Sequence, residues 1–392
     1  MSDIQIAKAS VTDMDDAIDF GNFVFSHSNG CHDFIESLPK LYKPEYFMDA
    51  IHYLVREGDK IKALVGSYPL ELQFEGGPSL PGRGIGMVSV HPRSRSKGYM
   101  KTLMNMALED MKKDGMAFSC LGGQRKRYEY FGYTPAGINY IFRITVPNIT
   151  HTLGREWKSS LAIKTVKSGD EETLDNIMAL HNAKKARFLR DRAKLFDILS
   201  SWKAKIFAFF EGDRFEGYLV SEVHLNEILE INMKDPSRIS EAIGIFLRNR
   251  PETGHDSVLV QAGPLDSEKI AVLSRLAQQF GTNIAYQFNI LDWKRFTGPF
   301  LALKSREWTI ADGSLILKIE GRSGGTFEIK AREGRVGISD TDSAPDLDLS
   351  HLEAMDFLFG PISAMTHPIV RKKVFLQSLL PLPLFFEKLD AI

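Results

Sequence analysis

The chain has 392 residues, 43% of them apolar and 25% charged, which is enough apolar side chain for the cores of two or three domains. Its 49 Lys and Arg against 50 Asp and Glu leave no basic excess to mark a nucleic-acid partner. Two cysteines, Cys31 and Cys120, exclude a disulfide framework and a Cys-rich zinc site; with the longest apolar stretch broken at Pro381 and Pro383, the expectation is a cytoplasmic protein with no leader segment and no membrane partner.

In chain order, a helix is predicted over Asp13–Phe25 with Asp13 as its cap. Strands follow at Ile61–Tyr68 and Ser79–Val90, with turn signals at Gly76-Gly77-Pro78 and Pro81-Gly82. Gly82-Arg-Gly-Ile-Gly86 precedes a strand instead of following one. It therefore fails as a dinucleotide fingerprint and reads as a hairpin bend. A helix opens at Gly98, carries Leu103, Met104, Met106, Ala107 and Met111 at helical spacing, and closes at Lys112-Lys113-Asp114-Gly115. A strand over Ala117–Leu121 completes a crossover unit, so the sheet is expected to be mixed.

The order then repeats. A helix is predicted over Asp170–Leu189, a hairpin over Ile206–Val220 turning at Glu211-Gly212-Asp213, a helix over Ser237–Arg248 and a strand over Ser257–Gln261. A third region holds strands Ser314–Glu320 and Gly325–Lys330, a helix capped by Ser350 and ended by Gly360-Pro361, and an apolar helix before a Pro-broken tail. The expected domains are 1–147 and 148–285, both α/β, and 286–392, α+β.

Chemistry concentrates in Val88-Ser-Val-His-Pro-Arg-Ser-Arg-Ser-Lys-Gly-Tyr-Met100. Pro92 ends the strand because it cannot donate to a ladder, and Gly98 opens the helix. Free amides at a helix start, beside Arg93, Arg95 and Lys97, form a site for a diphosphate. On the loop alone, a solvated basic turn explains the pattern equally well. A second basic cluster, Arg125 to Arg127, precedes Tyr128 and the block Phe131-Gly132-Tyr133.

The spacing Val88, Val90, Pro92, Arg95, Gly98, with the later aromatic block, resembles the GNAT N-acetyltransferases. Within that superfamily the three-part layout is similar to the enhanced-intracellular-survival acetyltransferases. The resemblance implies an acetyl-CoA-binding GNAT domain, a second degenerate GNAT-like domain without cofactor, and a C-terminal domain like sterol carrier proteins. It also implies a primary-amine acceptor, either a protein lysine or a small polyamine or aminoglycoside-like compound, and a homo-oligomer, a hexamer in that family.

By resemblance, Val88, Ser89 and Val90 face the pantetheine arm and thioester. Arg95, Ser96, Lys97, Gly98, Tyr99 and Met100 hold the diphosphate, although the wider superfamily has Gly or Ala where Met100 stands. Gly123 and Gln124 touch the cofactor from the next strand, and Tyr128 protonates the departing thiolate. Without the resemblance Tyr128 reads as a packing tyrosine. The nearby cations are expected to lower its pKa if they lie close.

No covalent acyl carrier is needed, and Cys120 reads as a small buried apolar residue. No metal is expected, because His27, His32 and His52 lack ligand spacing. Phe23, Phe25 and Phe34 read either as walls of an acceptor pocket or as core. In the resembled family the base is the carboxylate of a terminal aromatic residue. Phe386 looks like that residue, yet Glu387 to Ile392 follow it. Ile392, Glu387, Asp390 and a water remain candidates. The alternative function is a non-catalytic acyl-CoA or lipid sensor.

Overall fold

In the computed structural model, which describes residues 4–250, 256–284, 286–321 and 323–392, the apolar runs of the N-terminal region form one sheet. Its strands are β1 (Ile4–Lys8), β2 (Ile51–Glu57), β3 (Lys60–Phe74), β4 (Ser79–Val90), β5 (Phe118–Leu121) and β6 (Thr134–Ala136). They run in the order β1-β2-β3-β4-β5, followed by strand Tyr286–Ile290 and then β6. The β4–β5 pair is parallel and its neighbours antiparallel, so the sheet is mixed, as expected. Helix Tyr99–Lys113 makes the crossover between β4 and β5. It buries Leu103, Met104, Ala107 and Met111 of the apolar stripe that its spacing predicts, with Met106 half-buried beside them.

Two expectations are corrected here. Gly82-Arg-Gly-Ile-Gly86 is neither a hairpin bend nor, with Pro81, a turn: all of it lies within β4. The alternate glycines keep one face of the strand bare because other side chains cover it. A Cβ on Gly82 would lie 2.4 Å from the Phe118 ring, and one on Gly84 would lie 1.7 Å from Cδ1 of Ile392. The only turn between β3 and β4 is at 75–78.

Contacts divide the chain into two compact units, Met1–Ala136 with Tyr286–Leu382 and Ala391–Ile392, and Gly137–Ala285 with Pro383–Asp390. Residues 286–382 thus group by contact with the N-terminal residues. An aromatic cluster accounts for this. Phe296 and Phe300 of helix Trp293–Glu307 meet Phe118 at 5.5 Å and Phe74 at 4.9 Å between ring centres, and Phe359 packs on both. In the same unit a small sheet pairs Gly313–Ile319 with Gly325–Arg332 and, in parallel, with Leu347–Leu349. Helix His351–Phe359 has Ser350 as its cap, as predicted.

The second unit has its own mixed sheet, in which Glu227–Met233 and Ser257–Ala262 pair in parallel around helix Ile239–Asn249. The helix predicted over Asp170–Leu189 is shorter, Glu171–Asn182. Beyond it the chain turns so that Lys184 and Arg190 both reach the buried carboxylate of Glu230.

Candidate active site

Parallel pairing of β4 with β5 runs from Gly82–Phe118 to Ile85–Leu121 and stops there, while β4 continues to Val90. Met87 has a φ of +51° and the β3 register shifts between Leu64 and Gly66, which marks a bulge in β4. His91 donates its amide N–H to the Lys62 carbonyl at 2.9 Å, on the β3 side. Successive amides of a strand point to opposite edges, so the Val90 N–H faces the opened side, away from β3.

That opening is the head of a cleft of about 700 Å³. Of the expected site residues, Val88, Val90, Arg95, Ser96, Gly98, Tyr99, Met100 and Gln124 line it. Phe25 is on the wall too, whereas Phe34 is buried in the core and Phe23 is exposed. The loop below it is built by local geometry. His91 accepts from the amides of Arg93, through Nδ1, and Ser94, through its carbonyl. Ser96 and Gly98 then take φ values of +67° and +82°, which turn the chain into the helix starting at Tyr99. The first amide with an intrahelical partner is that of Thr102, bonded to the Gly98 carbonyl at 3.1 Å. The amides before it are left for an external acceptor. The lining carries Arg95, Lys101 and Arg127 and no carboxylate. Free amides among three cations fit a diphosphate ligand.

Lys97 is turned elsewhere. Its Nζ donates to Oε1 of Glu57 at 2.6 Å, and the Tyr99 hydroxyl donates to the same oxygen at 2.5 Å. Those bonds hold the Glu57 carboxyl below its ordinary pKa and raise that of Lys97. Ser89 points into the core with its hydroxyl lacking a described partner.

Tyr128 lies on the short helix Arg125–Glu129 and is 6% exposed. Its ring covers Gly123, whose φ is +138° and where a Cβ would lie 2.9 Å from the ring. Burial raises the Tyr128 pKa, with Arg127 pulling the other way. The expected lowering is therefore corrected: Arg125 and Lys126 pair with Glu129, at 2.8 and 2.9 Å, and only Arg127 acts on the phenol. Cys120 is fully buried, and burial pushes its thiol pKa up.

Ile392 lies against Gly84 and Gly86 of β4. The Tyr286 hydroxyl, itself against Gly122, donates to the Ile392 main-chain oxygen at 3.3 Å. Tyr286 is a site residue that sequence reasoning missed. It opens a five-residue strand whose partners, β5 and β6, are about 150 residues away in sequence. Of the other base candidates, Glu387 and Asp390 are bound to Lys184 and Arg190 in the second unit, and Phe386 packs on Phe188 there. Thus, of the two glycines that follow β5, Gly122 meets Tyr286, which bonds Ile392, and Gly123 meets Tyr128.

The model of the acetyltransferase (GNAT) domain matches residues 5–136, the stretch that holds β4, the loop and Tyr128. Residues 5–136 form a GNAT acetyltransferase domain. The chain is accordingly an acyltransferase enzyme. Among solved structures, a GCN5-related N-acetyltransferase from Kribbella flavida is 17% identical with a TM-score of 0.67, all of both chains being covered. A probable N-acyltransferase from Enterococcus faecalis V583 is 17% identical with a TM-score of 0.68, over 98% of this chain and 100% of that one. Eis1 from Mycobacterium abscessus is 13% identical with a TM-score of 0.60, over 90% of this chain and 88% of that one. At these identities the likeness is one of fold, and it extends beyond the GNAT domain to the whole chain. No curated protein matches the sequence. No described helix is long and apolar enough to cross a membrane.

Proposed function

We propose that this GNAT enzyme transfers acetyl from acetyl-CoA directly to a primary amine, on a protein lysine or on a small polyamine or aminoglycoside-like compound. The observation that carries the reading is the opened β4 edge above a cation-lined loop of free amides. In this reading Arg95, Ser96, Gly98, Tyr99 and Met100 bind the diphosphate, with Lys97 steadying the loop through Glu57. Gln124 and Gly123 flank the cofactor arm, and Val88 and Ser89 hold the strand that it lies along.

The Val90 amide donates to the thioester oxygen as negative charge develops there. Tyr128 stays protonated at neutral pH because burial raises its pKa, and it can give its proton to the leaving thiolate. The carboxyl group of Ile392, oriented by Tyr286, takes the proton of the incoming ammonium group. The sterol-carrier likeness of 286–392, a degenerate second GNAT-like domain, a hexameric assembly and a cytoplasmic site are parts of the same proposal.

The test is turnover with acetyl-CoA and a panel of primary amines, followed by thiol release. Tight acetyl-CoA binding without release for any amine would leave the sensor reading and remove this one. For the loop, Gly98→Val is expected to weaken acetyl-CoA binding. A Cβ there meets nothing, so the cost arises from the φ of +82°, which a β-branched residue resists by about 1–2 kcal/mol. Calorimetry giving an unchanged affinity would reject the loop assignment.

A further inference from the structure

The second unit contains a buried ion cluster that the acetyl-transfer chemistry does not use. Arg190, 3% exposed, donates from Nε to Asp390 Oδ1 at 2.8 Å. Its Nη2 donates to Glu230 Oε2 at 2.9 Å and to Asp390 Oδ2 and Glu387 Oε2 at 3.2 Å each. Lys184 bonds Glu230 at 2.8 Å and also reaches Glu387. Tyr218 donates to Glu230 from below, and Asn232 donates to the Tyr218 oxygen at 2.9 Å. His181 donates through Nε2 to the Phe188 carbonyl at 2.8 Å, and burial holds it neutral, its pKa lowered to about 3.

Two of the three carboxylates, Glu387 and Asp390, belong to the C-terminal tail, three residues apart on one turn. Between them Leu389 is 1% exposed within the core of the unit, beside Leu174 and Leu195, and Phe386 stands edge-on to Phe188 at 4.8 Å. An apolar cluster of similar volume would stabilise a core at least as well as buried ions do. What the charges add is a single register, since a slip of one residue would strand the buried Asp390 and the half-buried Glu387 away from their cations.

We infer that Arg190 and Lys184 form a clasp that makes this unit a holder for the chain's own tail and fixes the register of residues 386–390. The consequence rests on the acetyltransferase reading. From Asp390 the chain has a tether of only about 7 Å to Ile392. Arg190 is therefore a positioning residue for Ile392, and a unit predicted to bind no cofactor contributes to the reaction by holding the tail.

The test uses the full-length protein with Arg190→Met, the isosteric Asp390→Asn should Arg190→Met not fold, and the conservative Arg190→Lys. Three quantities are read: hydrogen exchange of the 386–390 amides, kcat, and KM for acetyl-CoA. The expected result is exchange faster by about tenfold or more in the tail. With it should come a kcat lower by about tenfold, an unchanged KM, and partial recovery in Arg190→Lys. Phe246→Leu, in the other core of the unit, is the control: it should lower Tm while leaving tail exchange and kcat as they are. A tail that remains protected in Arg190→Met, or one that exchanges freely while kcat matches the wild type, overturns the clasp. Absence of turnover in the wild type instead overturns the acetyltransferase reading, and tail exchange then decides the clasp alone.

Discussion

Tyr128 and Gly84 carry the two most direct consequences at the scale of single residues. Burial of the Tyr128 phenol keeps it protonated well past neutrality, so it can act as an acid over the whole physiological range. Tyr128→Phe removes the proton and little else, because the ring keeps its place over Gly123. The expected loss in kcat is about 10²-fold, with KM for acetyl-CoA unchanged. Steady-state kinetics across pH would remove Tyr128 from the chemistry if turnover were the same at every pH. Gly84 acts through absence of a side chain. In Gly84→Val the new atoms would occupy the place of Ile392 Cδ1, the far end of a movable side chain, so Ile392 is expelled at small cost to folding. Turnover is expected to fall by about 10²-fold or more while the acetyl-CoA Kd stays constant. Full activity in this variant would show that Ile392 has no part in proton removal.

At the scale of elements, what was legible in the sequence is what local chemistry determines. β4 was read with its bounds, because its apolar alternation ends at His91-Pro92. The geometry of the loop after β4 is legible for the same reason, since a strand, a basic turn and a Gly at a helix start are all neighbours in sequence. Helix His351–Phe359 was legible from its cap: the Ser350 hydroxyl accepts from the Glu353 amide, and the Ser350 amide donates back to the Glu353 carboxylate at 2.8 Å. Ser350→Ala should cost about 1 kcal/mol, seen as a lower denaturation midpoint for the first unit. No change would mean that the cap is held by tertiary packing alone.

What was not legible depends on distant partners. β2 runs through His52, Tyr53, Leu54 and Val55, buried on both faces, so it shows no alternation to read. The glycines of β4 imitate a turn because the side chains that fill their places, Phe118 and Ile392, come from elsewhere in the chain. Tyr286 and Ile392 carry no local mark of a site, and only the closure of the sheet brings them to Gly122 and Gly84.

For the whole molecule the buried His52 and His181 and the half-buried His351 contribute to the response to acid. His52, His181 and His351 have their pKa values lowered by burial to about 4, 3 and 4. An unfolded chain takes up protons on them near pH 6.5, whereas the folded protein does not. The stability they allow is therefore complete above about pH 6.5 and is lost progressively as the pH falls toward 4. Each contributes a slope of about 1.4 kcal/mol per pH unit within that window. Calorimetry at pH 7 and pH 5 should show a clearly lower Tm at pH 5, and His351→Gln should flatten the difference. Equal Tm values at both pH values would contradict the burial of these imidazoles.

The position of strand Tyr286–Ile290, hydrogen-bonded to β5 on one side and β6 on the other, bears on how the molecule is born. A ribosome that has completed β6 has made β1 to β6 but not the strand that lies between β5 and β6. At about 5–20 residues per second the missing strand arrives roughly 8–30 seconds later. Through that interval the nascent sheet presents two open edges, one of them the wholly buried Phe118–Leu121. Maturation of the enzyme thus waits on its second half, and that interval is when the young chain most needs a chaperone's protection.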